Sequence, residues 1–389
     1  MSSADRVVNI GGVGCGARMR SVLRLLLPKD SRIVFKGAFD IDPEAIRQTR
    51  EQLKLPNLIA YPSLESLVKD PSIDWVMIAT WNRHHAAAAI AALDAGKNVF
   101  CEKPLATTLA DCVAVKNAVK RSKGTFAFGL VLRYSPHYQR IRKTLADGRL
   151  GELISFEFNE TLRPGHGGYI FGNWRRRTEM AGSHILEKCC HDLDLANWMA
   201  DSIPMRIASF GGKRIFTTAN ASLGEKIGLD ADGRSVFVEW PDAHRVDPFS
   251  GDSDLMDHQV AILEFANGVR ATFHANCVAA VAERRFYLLG TLGTLRADAY
   301  DGTITYQRVG RDIPSEDLSI GPNPDGHGGG DTVLASGLAA TMLEGRKPLA
   351  GIDEAVRSAA VAFAIDEAAA TGKVVDLKPY WSALSVGEE

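Results

Sequence analysis

Short apolar runs alternate with helical patterns along the first third of the chain. Runs typical of strands lie at positions 7–10, 33–39, 75–79, 98–101 and 126–132, and helical patterns lie at 17–27, 43–53, 84–95 and 107–121. Strands separated by helices imply right-handed crossovers and a parallel sheet that is covered on both faces. This part of the sequence therefore predicts a doubly wound α/β domain.

The pattern changes after about position 134. A helix is predicted at 136–146, and a strand is predicted at 153–160, where Ile154, Phe156 and Phe158 alternate with polar residues. Further on, Asn267-Gly268 separates two strand-like runs and is a strong hairpin signal. These features predict an α+β domain with a large, mostly antiparallel sheet.

Three further features complete the predicted organisation. A second hairpin is expected around Gly293, and an alanine-rich helix at 353–370 is expected to pack on the sheet. The acidic stretch 224–257, which is marked by glycine and proline, is interpreted as a long excursion. We divide the chain into residues 1–134 and residues 135–389.

Composition narrows the class of protein. The 389 residues are 46% hydrophobic and 24% charged, which is typical of a globular protein with two or three domains. A formal net charge of -2 is too balanced for a surface that grips the phosphates of nucleic acid. Nucleic acid is therefore not an expected partner.

Targeting signals and disulfides are not expected either. The apolar run at 22–27 is interrupted by Arg24 and closed by Pro28, and no uncharged run approaches the roughly 20 residues that cross a bilayer. The six cysteines lack paired spacing, so we expect reduced thiols, a cytoplasmic protein and no membrane partner. Core packing is favoured over metal binding for the pair Cys189-Cys190, and no metal site is predicted.

A glycine turn between the first strand and the first helix is the first candidate site. Backbone amides and the positive end of a helix can receive a pyrophosphate at such a turn. The third glycine of G-x-G-x-x-G is replaced by Met19, and a register that starts at Gly12 also fits. The candidates for cofactor binding in this turn are Gly14, Gly16, Ala17 and Arg18.

Asp40 follows the second predicted strand. A carboxylate at this position can accept hydrogen bonds from the ribose of a dinucleotide. It also repels a 2'-phosphate, and Ile41 supplies no compensating cation, so NAD is favoured over NADP. The alternative is that Asp40 caps the helix that begins near Pro43.

Two further motifs follow predicted strands, at the sheet edge where such domains bind ligands. They are Thr80-Trp81-Asn82-Arg83-His84-His85 and Glu102-Lys103-Pro104. With the glycine turn they resemble the Gfo/Idh/MocA family of oxidoreductases, in which the motifs usually read T-P-N-x-x-H and E-K-P. The resemblance continues in chain order through Leu132-Arg133-Tyr134, Gly148-Arg149-Leu150-Gly151, His191-Asp192-Leu193-Asp194-Leu195 and Gly290-Thr291-Leu292-Gly293-Thr294-Leu295.

The resemblance implies an NAD-binding Rossmann domain followed by a domain for substrate binding and oligomerisation. It also implies that Lys103 contacts both the nicotinamide ribose and the substrate, where an ammonium could orient a hydroxyl. The alternative for Lys103 is an exposed surface lysine. The cofactor-binding positions implied here are Thr80, Trp81, Asn82, His85, Glu102, Lys103 and Arg133.

The family's D-x-x-x-H pair corresponds to Glu187-Lys-Cys-Cys-His191. Residues four apart share one face of a helix, so the carboxylate and the imidazole are expected to point at one substrate carbon. His191 is the candidate general base because an imidazole titrates near neutrality, and Glu187 is expected to orient it. The alternative is a pair that is satisfied within a helix interface.

A glycine-rich segment from 163 to 177 carries aromatic and basic residues. We expect a flexible loop that closes over a polyhydroxylated ligand, because ring faces cover C–H groups and guanidinium groups bind hydroxyls or an anion. The alternatives are a solvated basic loop and a subunit contact. The candidates for substrate binding are Arg163, His166, Tyr169, Trp174 and Arg175.

Together these features predict an NAD-dependent dehydrogenase that oxidises a secondary hydroxyl of a sugar, a cyclitol or a derivative. A glycoside hydrolase that oxidises a hydroxyl transiently is the second hypothesis, and a nucleotide-binding regulator without catalysis is the third. The resemblance also implies a homodimer or homotetramer that assembles through the open face of the second-domain sheet.

Overall fold

The computed structural model describes residues 6–240 and 245–386, which form two compact units. The first unit comprises Met1–Ser135 and Pro324–Ala359, and the second comprises Pro136–Asn323 and Ala360–Glu389. In the division made from the sequence, residues 324–359 belong to the second domain.

A six-stranded sheet forms the centre of the first unit. Its strand order is β3-β2-β1-β4-β5-β6, and every neighbouring pair is parallel. This order confirms the predicted doubly wound α/β domain, since the chain starts in the middle of the sheet and winds outward in both directions. The strands are β1 (Val8–Val13), β2 (Ile33–Phe39), β3 (Ile59–Ala60), β4 (Trp75–Ile78), β5 (Asn98–Cys101) and β6 (Phe126–Phe128).

Helices accompany this sheet and complete its core. They are α1 (Ala17–Leu26), α2 (Pro43–Gln52), α3 (Leu64–Lys69), α4 (His85–Asp94), α5 (Leu109–Arg121), α12 (Gly330–Glu344) and the start of α13 (Ile352–Thr371). Leu334 and Leu338 of α12 are buried in the same cluster as Leu23 of α1 and Phe35 of β2. Residues 324–359 group with the first unit because α12 supplies this part of its core.

A nine-stranded sheet forms the centre of the second unit, in the order β14-β13-β12-β11-β7-β10-β9-β8-β15. Only the pairing of β7 with β10 is parallel, so the predicted mostly antiparallel sheet is confirmed. The strands are β7 (Leu153–Thr161), β8 (Pro204–Gly212), β9 (His258–Phe265), β10 (Arg270–Asn276), β11 (Arg285–Gly290), β12 (Gly293–Asp298), β13 (Thr303–Arg308), β14 (Glu316–Asp317) and β15 (Val375–Asp376).

One face of this sheet is buried and aromatic. Phe158 stacks on Phe273 with ring centroids 4.5 Å apart, and on Phe286 at 5.6 Å. Stacked rings of this size contribute both buried apolar area and favourable ring geometry. The helices of this unit are α6 (Pro136–Ala146), α7 (Pro164–Phe171), α8 (Thr178–Ala181), α9 (His184–Glu187), α10 (Cys190–Ala200), α11 (Leu223–Ile227), the end of α13 and α14 (Lys378–Ala383).

A second core lies beside the sheet, where the excursion 224–257 folds back. Phe237 and Phe249 of the excursion are buried with Phe216 and with Phe171 of α7. The excursion is therefore a packed part of the unit. Residues 241–244, which belong to the predicted excursion, lie outside the described residues.

Candidate active site

The glycine turn after β1 has room for a phosphate. Gly14 adopts a φ of 84°, and a Cβ there would lie 2.7 Å from Thr80 Cα, so only glycine allows this close approach. Gly16 precedes Ala17 at the start of α1, and a Cβ on Gly16 would meet no atom within 4 Å. This open cradle at a helix N-terminus fits the pyrophosphate of a dinucleotide.

Gly12, the first glycine of the alternative register, lies at the end of β1. Gly12 lies within β1, and a Cβ there would lie 2.6 Å from the Phe35 ring. Gly12 therefore needs to be glycine for packing against β2, and the choice between a motif that starts at Gly12 and one that starts at Gly14 stays a prediction. Met19, which replaces the usual third glycine, is buried in the core of the first unit.

Asp40 holds the glycine turn in place. Its Oδ2 accepts a hydrogen bond from the Cys15 backbone N–H at 2.6 Å, and its Oδ1 accepts one from the Asp42 N–H at 2.9 Å. Asp42 caps α2, because its side chain accepts the Glu44 N–H at 3.0 Å. The alternative that Asp40 caps this helix is therefore wrong, while its hydrogen bond to a ribose hydroxyl stays a prediction.

His85 joins the loops that follow β4 and β5. Its Nδ1 lies 2.7 Å from the carbonyl oxygen of Pro104, and its Nε2 lies 3.0 Å from that of Thr80. Burial lowers the pKa of His85, and a neutral imidazole donates from only one nitrogen. These contacts give His85 a bracing role between the two motifs, while its direct contact with a cofactor stays a prediction.

Glu102 and Lys103 lie at the end of β5. Glu102 is buried and its Oε2 accepts the Lys103 backbone N–H at 3.3 Å, while Lys103 is half-buried and is followed by a cis peptide bond to Pro104. Arg18, predicted to contact the cofactor, donates from Nε to Glu102 Oε1 at 2.7 Å. It also donates from Nη1 to Asp331 Oδ1 at 2.7 Å, which the sequence did not indicate.

The other candidates of the first unit occupy short 3₁₀ turns. Asn82 is buried in the turn Asn82–His84, and Arg133 is buried in the turn Val131–Tyr134. Trp81 precedes the first of these turns and is 42% exposed. Trp81 thus lies just after β4, at the edge of the sheet where such domains bind ligands, and its contact with a cofactor stays a prediction.

In the second unit, Glu187 and His191 do not share one helix. Glu187 ends α9, a turn follows at residues 188 and 189, and His191 lies in the first turn of α10. The expectation that four-residue spacing places both on one helix face is therefore wrong. Both side chains are buried, and Glu187 Oε1 accepts a hydrogen bond from Arg175 Nε at 3.0 Å.

Arg175 lies among aromatic rings. Its guanidinium carbon lies 4.3 Å from the centroid of the Trp174 ring and 4.8 Å from that of Tyr169, which are cation–π distances. One face of each ring is therefore covered by the guanidinium. With Glu187, these three residues bring together four of the candidates that lie in the second unit.

The glycine-rich segment is folded, so the prediction of a flexible loop is wrong. Three of its four glycines lie in α7, where a Cβ on Gly167 would lie 2.1 Å from the Cys277 carbonyl oxygen, and one on Gly168 would lie 2.0 Å from that of Phe237. These glycines therefore serve close packing. Arg163 precedes the helix at its N-cap position.

His166 lies on α7 beside residues that the sequence did not single out. Its ring centroid is 4.9 Å from that of Trp240 and 6.3 Å from that of Tyr169, and its Nδ1 is 3.4 Å from Glu239 Oε2. Burial raises the pKa of Glu239, although Lys188 and Arg163 oppose this shift. No local pattern connects Glu239 to His166, since the two are far apart in the chain.

A buried ion cluster lies next to the start of α10. Arg284 donates to both carboxylate oxygens of Asp192 at 2.7 Å, and its Nε lies 2.6 Å from Glu160 Oε2. Lys188 Nζ lies 3.6 Å from the other oxygen of Glu160. Since Asp192 follows His191 directly, the cluster fixes the backbone that carries the imidazole.

Within 6–240 and 245–386, no group of three or more His, Cys, Asp or Glu side chains could hold a metal ion. No helix in the same ranges is long and apolar enough to span a bilayer.

Comparison with known proteins identifies the class and then the family. Residues 8–130 match the model described as "Oxidoreductase family, NAD-binding Rossmann fold", so the first unit is an NAD-binding oxidoreductase domain. Residues 138–296 match the "GFO/IDH/MocA C-terminal domain". The chain belongs to the Gfo/Idh/MocA family, and it is an oxidoreductase.

Relatives within the family act on sugars and cyclitols. The chain is 26% identical to 1,5-anhydro-D-fructose reductase of Ensifer adhaerens, over 81% of this chain and 83% of that protein. It is 30% identical to inositol 2-dehydrogenase/D-chiro-inositol 3-dehydrogenase of Halalkalibacterium halodurans, over 50% of this chain and 53% of that protein. The alignment therefore spans about half the length of the inositol dehydrogenase.

A solved structure has the same fold. Levoglucosan dehydrogenase, in a complex with NADH and L-sorbose, superposes with a TM-score of 0.78 and 21% identity. The match covers 96% of this chain and 99% of that one. At this identity the likeness establishes the fold.

Proposed function

We propose that the protein is an NAD-dependent dehydrogenase that oxidises a secondary hydroxyl of a sugar, a cyclitol or a close derivative. The observation that supports this proposal is the match to both family models in chain order, with Lys103 inside the first and His191 inside the second. NAD, when bound, supplies the acceptor for the hydride of the carbinol carbon. Gly14, Gly16 and Asp40 would hold it at the turn after β1.

Lys103 and His191 divide the work on the substrate hydroxyl in this proposal. The Lys103 ammonium donates a hydrogen bond to the hydroxyl oxygen and orients it. The His191 imidazole accepts the hydroxyl proton as the carbinol C–H bond breaks, so the alcohol becomes a ketone and the proton remains on the imidazole. In this proposal, the ion pair between Glu187 and Arg175 holds both side chains in place for contact with the substrate.

The pairing of the three arginines at 175–177 with acidic residues supports an uncharged substrate. Arg175 is paired with Glu187, and both Arg176 and Arg177 are paired with Asp252, at 2.9 and 3.4 Å. A carboxylate or sulfonate would have to compete with these acidic partners, whereas hydroxyl groups can use the remaining donors and acceptors. We therefore expect neutral polyols to be turned over in preference to the matching sugar acids.

Turnover of a panel of sugars, inositols and sugar acids, with NADH absorbance as the readout, tests the proposal. Lys103→Ala and His191→Ala should still bind NADH but lose turnover by a factor of about 100 or more, which is typical of lost acid–base groups. Unchanged turnover in either variant would remove that residue from the mechanism. Product release from a glycoside without accumulation of NADH would instead support the hydrolase.

The open face of the large sheet supports a homo-oligomer. Phe210 of β8 and Ile262 of β9 are 71% and 59% exposed, and Val260 lies opposite Phe210 in the strand register. Exposed apolar patches of this kind are typical of protein interfaces. We propose that a second copy of the chain covers this face.

A further inference from the structure

A chain of ion pairs connects α12 with the strand-end motif that carries Lys103. Arg18 is its centre, since Nε binds Glu102 and Nη1 binds Asp331, both at 2.7 Å. The side chains of Glu102 and Asp331 are each 7% exposed, and that of Arg18 is 28% exposed. Hydrogen bonds between charged groups in such sheltered positions are strong and directional.

Asp331 is fixed in place from two sides. Its Oδ2 bonds His327 Nδ1 at 2.8 Å, and a Cβ on Gly326 would lie only 2.2 Å from that oxygen. Burial alone would raise the pKa of Asp331, but the hydrogen bond from His327 and the charge of Arg18 hold it well below its usual range. Asp331 does not cap α12, because Gly329 occupies the N-cap position. The side chain is used for the ion pair instead.

Glu102 is confined in the same way at the other end. Its Oε2 accepts the Lys103 backbone N–H, and a Cβ on Gly129 would lie 2.8 Å from that oxygen. Since the donors of a guanidinium lie in one plane, the contact with Asp331 sets the direction from which Arg18 meets Glu102. The orientation of Glu102, in turn, fixes the backbone at Lys103.

We propose that Asp331 is a positioning residue for Lys103 that acts through Arg18 and Glu102. This inference rests on the proposed function, in which Lys103 orients the substrate hydroxyl. Removal of the Asp331 carboxylate leaves Arg18 with a single anchor, so the guanidinium can rotate about its contact with Glu102. The Lys103 ammonium is then less well aligned, which lowers kcat and leaves the KM for the substrate nearly unchanged.

The test compares three variants of the full-length protein. Asp331→Ala removes the anchor, and Asp331→Asn keeps an oxygen that can accept from Arg18. Asp353→Ala is the matched control, because Asp353 also lies in the first turn of a helix and is also paired, with Lys116 at 3.1 Å. The readouts are kcat, KM and, without NAD, the hydrogen exchange of the amides at 102–106.

In Asp331→Ala we expect kcat to fall about tenfold, a typical coupling for linked residues, with KM unchanged. Hydrogen exchange at 102–106 should be faster in Asp331→Ala than in the parent protein. Asp331→Asn should recover most of kcat, and Asp353→Ala should match the parent protein in kcat, KM and exchange. The proposal would be overturned if Asp331→Ala had the same kcat and the same exchange at 102–106 as Asp353→Ala. A loss of kcat that Asp331→Asn does not relieve would also overturn it.

Two further measurements keep the result decisive. If Asp331→Ala does not fold, a double-mutant cycle between Asp331→Ser, which also removes the carboxylate, and Glu102→Gln takes its place. Non-additive effects on kcat support the proposal, and additive effects overturn it. Lys103→Ala separates this inference from the proposed function. Retained turnover in Lys103→Ala refutes the role of Lys103 itself, whereas lost turnover beside an unaffected Asp331→Ala refutes only the positioning role.

Discussion

Replacement of Arg284 by methionine is expected to destabilise the second unit strongly. Arg284 is 7% exposed and is the direct partner of the two buried carboxylates Asp192 and Glu160. Methionine fills a similar length without charge, so among the residues that the structure describes only Lys188, at 3.6 Å from Glu160, would remain paired with the two buried carboxylates. Removal of one partner from such a buried pair costs about 3–5 kcal/mol.

This cost translates into a measurable melting temperature. For a unit of roughly 150–250 residues, each kcal/mol corresponds to about 2–4 °C, so the expected loss is about 6–20 °C. Arg285→Met is the matched control, because Arg285 is the next residue but its side chain is 56% exposed and pairs with Glu283 at 3.1 Å. An exposed pair of this kind contributes about 0–1 kcal/mol.

The loss should also depend on pH, and differential scanning calorimetry at pH 8 and pH 5 measures it. Burial raises the pKa of Glu160, and Arg284 opposes that shift. Without Arg284 the folded-state pKa rises further above the unfolded value, so folding takes up a proton and stability is regained as the pH falls. The deficit of Arg284→Met should therefore be largest at pH 8. Equal deficits in Arg284→Met and Arg285→Met, or a deficit that grows toward pH 5, would refute this reasoning.

Three further changes test the packing, the titration and the assembly of the second unit. Gly168→Ala should lower the free energy of unfolding in urea by about 1–3 kcal/mol, because its Cβ would lie 2.0 Å from a carbonyl oxygen. Gly224→Ala is the control and should be tolerated, since the nearest neighbour of its Cβ lies at 4.0 Å. Equal stability of the two variants would contradict the close packing at Gly168. Burial raises the pKa of Asp366 to about 6, so the parent protein should lose stability as the pH rises through 6. Asp366→Asn should lack that loss in urea unfolding at pH 4.5 and 8, and an unchanged pH dependence would exclude Asp366 as its source. Ile262→Glu should reduce the mass measured by light scattering, unlike Val309→Glu, which is also an exposed site; no change in mass would argue against the proposed interface.

The features that the sequence predicts well are those set by neighbouring residues. The strand at 33–39, the strand at 98–101 and the helix at 136–146 have the predicted bounds, because period and flanking residues define them locally. The hairpin at Asn267-Gly268 is confirmed, with Gly268 at a φ of 89°. The two motifs that directly follow strands also indicated the NAD-binding unit, because the carboxyl ends of parallel strands lie at one edge of the sheet.

The features that the sequence does not predict depend on distant partners. The sequence predicted a flexible loop at Gly167 and Gly168 because glycine is rare in helices. In the structure each of them must be glycine, because a carbonyl oxygen from another segment lies too close for a Cβ. The turn between Glu187 and His191 interrupts a spacing that alone favours one helix. The bond from Arg18 to Asp331 joins residues whose separation along the chain leaves no local signal.

The return of α12 to the first unit limits how the protein can be dissected. A fragment that stops near residue 134 would lack Leu334, Leu338 and Met342, and would expose the apolar surface of α1 and β2 that they cover. Such a fragment is expected to aggregate or to bind nucleotide poorly, although it contains every glycine of the turn. A truncated form of the cofactor-binding unit therefore needs residues 324–359 spliced back onto it, since this later segment of the chain completes its core.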